Sequence, residues 1–90
     1  MENRISVISI IVEDTGVSAD VNELLHNFGK YIIGRMGIPY KERGVSIICI
    51  VMDAPGDVIS SLSGKLGMLK GVSIKTIVAK RQNKTIRREG

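Results

Sequence analysis

The chain of 90 residues has no tryptophan, and aromatic residues make up only 3% of it, so its core must be built from aliphatic side chains. With 43% hydrophobic residues, mostly Ile, Val and Leu, the composition favours strands. A single cysteine, Cys49, excludes an intramolecular disulfide and any multi-cysteine zinc or iron-sulfur site. It sits inside VSIICIVM, where it reads as a small buried hydrophobe. The lone histidine, His26, leaves too few imidazole and thiolate ligands for a metal centre within one subunit, and no metal or cofactor is expected. No apolar run approaches the ~18 residues of a membrane span, and MENRISV lacks the pattern of a secretory leader. The expected location is cytoplasmic, away from membranes.

Positive charge is present but confined. Residues 80 to 90, KRQNKTIRREG, hold five basic residues and one acid, which accounts for the whole net charge of +4. The body before them is neutral, which argues against a dedicated nucleic-acid-reading domain. The chain therefore divides into one folded domain over residues 1–80 and a basic tail over 81–90, expected to be disordered.

The order of local patterns is informative. RISVISIIVE, residues 4–13, is β-branched at nearly every position and reads as a first strand. EDTG is a turn, after which Val17, Val21, Leu24, Leu25 and Phe28 recur at helical spacing, and Gly29 stands where a C-terminal cap belongs. KYIIGRMGIPY carries a second strand whose Pro39 suits a sheet edge. KERG is a hairpin loop, VSIICIVM, residues 45–52, a third strand, and DAPGD a turn. A second helix follows, with Val58, Ile59, Leu62, Leu66 and Leu69 on one side, then a fourth strand over residues 72–79. The order βαββαβ is the α+β, ferredoxin-like arrangement: a four-stranded antiparallel sheet, strands 1 and 3 central, with two helices on one face.

A sheet with one solvated face should alternate apolar and polar residues. The central strands do not. Ile5, Val7 and Ile11 oppose Ile8, Ile10 and Val12, and Val45, Ile47, Cys49 and Val51 oppose Ile48, Ile50 and Met52. An exposed apolar surface of that kind marks an interface, so a homo-oligomer, dimer or tetramer, is expected.

Catalytic patterns are scarce. In SSLSGKLG the Gly-Lys pair is followed by Leu66, and position 59 is Ile59, so the phosphate-binding loop pattern is not met. Gly64 and Gly67 read instead as points of close packing on a helix, and Lys65 as a solvated residue. Acylphosphatases share this fold and size, but EDTGVSAD has two acids and no arginine before its helix, and an anion would be repelled. His26 suits the C-terminal end of the first helix. The acid pairs Glu13 with Asp14 and Asp53 with Asp57 read as helix-capping residues in strand-to-helix turns. No nucleophile is paired with a histidine base, and the chain is not expected to be an enzyme.

Two segments resemble known families. VEDTGVSADVNELL resembles the first strand, loop and helix of an ACT domain: Asp14 and Gly16 match its Asp-before-Gly pattern, and Thr15 replaces the usual proline. More closely, VNELLHNFGKYIIGRMGIPY with SLSGKLGMLKGVSIKT resembles the iron-only hydrogenase system putative regulator family, over residues 4 to about 80. That family is similar to ACT domains and to the ligand-sensing domain of nickel-responsive repressors. The nickel ligands do not carry over, because KYIIGRMGIPYKERG contains neither histidine nor cysteine.

The resemblance implies a non-enzymatic regulatory domain with an effector site at an oligomer interface, formed by Glu13, Asp14, Thr15, Gly16 and Val17. The alternatives are a ligand-free module that holds a hydrogenase-system protein, and nucleic-acid binding through the basic tail.

Overall fold

The structure, a computed structural model, describes residues 2–80; the basic tail and its expected properties lie outside them. The elements are β1 (Asn3–Val12), α1 (Ser18–Asn27), β2 (Ile32–Tyr40), β3 (Val45–Pro55), α2 (Gly56–Gly67) and β4 (Val72–Val78). Short 3-10 turns at Thr15–Val17, Gly29–Tyr31 and Lys41–Arg43 join them. The sheet order is β2-β3-β1-β4 with every neighbouring pair antiparallel. The α+β arrangement expected from the residues is the one observed.

The two-residue period of the strands decides what each face holds. Ile8, Ile10 and Val12 of β1 and Ile48, Ile50, Met52 and Ala54 of β3 form one wall of the core. Val21 and Leu25 of α1 and Ile59, Leu62 and Leu66 of α2 form the other. Each such side chain contributes roughly 1.5–3 kcal/mol when fully buried, which is why both helices must lie on this face. Ser63 and Thr76 share a hydroxyl hydrogen bond of 2.8 Å that ties α2 to β4.

Five local expectations need correction. β3 does not stop at residue 52: Asp53, Ala54 and Pro55 pair with Ile5, Arg4 and Asn3, so the Asp-Ala-Pro turn signal is overridden by pairing to β1. Asp53 is thus an exposed strand residue, and Asp57 lies in the first turn of α2 without a side-chain capping bond. Gly29 is not a left-handed cap; it opens a 3-10 turn, and the positive-φ glycines are Gly44 and Gly71. Among the described residues, nothing outside its own helix backbone and chain neighbours comes within 4 Å of where a Gly64 Cβ would stand, and a Gly67 Cβ meets only the tip of Ile74 at 3.9 Å, so neither glycine marks tight packing there. Cys49 lies on the face its strand position implies, away from the helices, and is half-buried there instead of fully buried.

Candidate functional site

The turn Glu13–Val17 leaves the end of β1 and enters α1 through a 3-10 turn. Asp14 holds it together. Its Oδ1 accepts from the Gly16 amide at 2.8 Å and its carbonyl accepts from the Val17 amide at 3.1 Å. A short acceptor two residues before a glycine forms this turn locally, which is why Asp-Thr-Gly folds this way. The Gly16 and Val17 amides are therefore engaged by Asp14 in this state. Glu13, Thr15 and Gly16 are exposed, while Asp14 and Val17 are half-buried.

A second segment clamps the turn from behind. The Glu13 amide donates to the Gly71 carbonyl at 2.8 Å, across the connection from α2 to β4. Gly71 has φ of 75°, and a Cβ there would stand 2.5 Å from Asp14 Cβ. Only glycine meets both conditions. Nothing in the tripeptide Lys70-Gly71-Val72 itself points to Asp14 as its neighbour.

The other prominent surface is the sheet face opposite the helices. Pairing places Met36, Ile38, Ile47, Ile5, Ile11 and Ile77 together on it, each 40% to 67% exposed. Val7, Cys49 and Val51 lie between them, and Ser9, Ser73 and Lys75 share the same face. The edges are less inviting: β2 carries Pro39 and an irregularity between Ile32 and Gly34, and β4 is short with Lys75 near its middle. Such features discourage strand-to-strand addition.

His26 is exposed in the last turn of α1, as its sequence position suggested. Among the described residues no group of three or more His, Cys, Asp or Glu is placed to hold a metal ion. No described helix is long and apolar enough to cross a membrane.

Comparison with known proteins decides the family. Residues 4–76 match the family described as TM1266-like: iron-only hydrogenase system regulator, putative. The chain belongs to this family. Among solved structures, the uncharacterized protein TM1266 from Thermotoga maritima superimposes with a TM-score of 0.84 at 41% identity, over 88% of this chain and all (100%) of that one. Two more distant structures share the fold alone. A PII-like nitrogen regulatory protein from Thiomonas intermedia, bound to ADP, AMP and bicarbonate, aligns at 17% identity and a TM-score of 0.52, over 87% of this chain and 92% of its own. A formyltetrahydrofolate deformylase from Pseudomonas putida aligns at 13% identity and a TM-score of 0.58, over 80% of this chain but 28% of its own. No curated protein matches the chain.

Proposed function

We propose that the chain is a non-enzymatic regulatory domain that assembles with copies of itself through the open sheet face and reads a small effector at the turn Glu13–Val17. The observation that carries this reading is the open face, where apolar side chains stand exposed on all four strands with Ser9, Ser73 and Lys75 among them, and which none of the described residues covers. Burying it on a second copy removes the same isoleucines twice, once from each partner, which is the economy of a symmetric interface. The blunted edges favour face-to-face packing over strand pairing. The family's description as a hydrogenase-system regulator agrees with a role in binding and control.

The turn supplies the two-state element. With Asp14 holding the Gly16 and Val17 amides, the turn is closed on itself. An effector bearing a carboxylate and an ammonium group would take those amides with the first and the freed Asp14 with the second. Because Glu13 is also bonded to Gly71, reopening the turn would disturb the α2–β4 connection and, through β1 and β4, the sheet that meets the partner. The effector acts by the difference in its affinity for the two arrangements.

The test is a thermal-melt screen against amino acids and nucleotides at fixed protein concentration, with Asp14→Asn as the comparison. Asparagine retains an oxygen for the Gly16 amide and removes only the charge. An effector at ~100 times its dissociation constant contributes roughly 2.7 kcal/mol, raising the melting midpoint by on the order of 10 °C. That rise should vanish in Asp14→Asn while the unliganded midpoint stays close to that of the parent. A flat screen would contradict the effector half of the proposal and leave a ligand-free module that holds a hydrogenase-system protein.

A further inference from the structure

Arg35, Gly37 and Pro39 lie on the helix side of β2, since Arg35 pairs with Ile50 and Gly37 with Ile48, both core residues. A side chain at position 37 would fill the space between β2 and the start of α1. Glycine leaves it open as a cleft of about 280 Å³. The glycine is not required by the backbone: its φ is not positive, and the nearest atom to a Cβ would be the Ile47 carbonyl oxygen at 3.9 Å.

The lining has a definite chemical character. Val12, Val21 and Ile48 provide an apolar floor, while Ser18, Ser46 and Arg35 bring polar groups to it. Arg35 does not hang free, because its Nη2 donates to Asn22 Oδ1 of α1 at 2.8 Å, across the cleft's own wall. That bond uses one of five guanidinium N–H donors. No carboxylate lines the cleft, and among the described residues none pairs with Arg35.

An oriented guanidinium over an apolar floor, with two hydroxyls and no acid, is complementary to one small anion with a hydrocarbon body. We infer that this cleft binds a small monocarboxylate, its carboxylate on Arg35 and its apolar part against Val12, Val21 and Ile48. The planar fork matches a carboxylate in two-bond geometry. Few polar groups on a mostly apolar wall is the usual composition of a small-molecule site, and the volume falls just below the roughly 300–1,000 Å³ range of drug-sized ligands. A single cation selects a monoanion over a dicarboxylate, for whose second charge the lining holds no further cation. The site is built within one protomer and depends neither on assembly nor on the turn Glu13–Val17, although Val12 and Ser18 flank that turn.

The test uses isocaproate as the probe and isocaproamide as its neutral counterpart, followed by amide NMR spectra of the full chain at probe concentrations up to about 10 mM, where millimolar dissociation constants become visible. Isocaproate should give saturable shifts centred on Ser18, Gly37 and Ser46 and on the Arg35 side chain; isocaproamide should not. Gly37→Leu should abolish them by filling the cleft, and Arg35→Gln, a change at an exposed position, should weaken binding on the order of tenfold. Asp14→Asn should leave the isocaproate shifts unchanged, which separates this site from the effector turn. Absence of saturable shifts, equal shifts from the neutral probe, or undiminished binding by Arg35→Gln or a folded Gly37→Leu would each overturn the inference.

Discussion

Gly71 is the residue on which the turn Glu13–Val17 depends most. Its φ of 75° is accessible to other residues only with strain, and its hydrogen stands where a methyl would be 2.5 Å from Asp14 Cβ. Gly44 supplies an internal control, with φ of 64° and open space around it. Gly44→Ala therefore carries only the backbone term, about 1 kcal/mol, whereas Gly71→Ala adds a clash that the turn must move to relieve, for a total of roughly 2–4 kcal/mol. Urea unfolding of the two variants measures the difference, and equal losses would contradict the clamp. At this scale the sequence was partly legible. Asp14-Thr15-Gly16 announces a side-chain-to-backbone turn, and Asp14 forms it. That Gly71 presses on the same aspartate was not legible, because contact between residues so far apart along the chain is created by the β1–β4 pairing.

The elements themselves follow from periodicity, and where they depart from it the cause is tertiary. β3 continues through Asp53-Ala54-Pro55 because β1 offers Asn3, Arg4 and Ile5 as partners, and ladder bonds outweigh a local turn preference. The first helix begins a residue later than its apolar spacing implies, since Thr15–Val17 is wound as a 3-10 turn around Asp14. In α2 the apolar stripe of Ile59, Leu62 and Leu66 is unbroken, and Gly64 lies off it at an exposed position with open space among the described residues where a Cβ would stand. Gly64→Ala should therefore stabilise the protein by about 1 kcal/mol through helix propensity alone, raising the melting midpoint by roughly 4–8 °C. A fall in the midpoint instead would show that another copy approaches the helix at that point.

For the whole molecule, the feature that organises the account is the sheet with two apolar faces, one sealed by helices and one open. Its composition was legible because strands 1 and 3 fail to alternate apolar and polar residues, and pairing adds Met36 and Ile38 from β2 and Ile77 from β4 to the same surface. The cleft beside Gly37 was not legible, because it arises only where the helix-facing side of an edge strand meets α1. Ile47, in a central strand and 40% exposed, lies on the open face between Ile11 and Ile38, and a lysine there would place a charge in an interface formed by that face. The core beneath is untouched by that change, since position 47 points away from it.

Sedimentation equilibrium of the parent chain and of Ile47→Lys at micromolar concentration tests this most directly. The parent chain is expected to sediment as a stable oligomer and Ile47→Lys as a folded monomer. A parent chain that sediments as a monomer, or an Ile47→Lys variant that assembles as well as the parent, would contradict it.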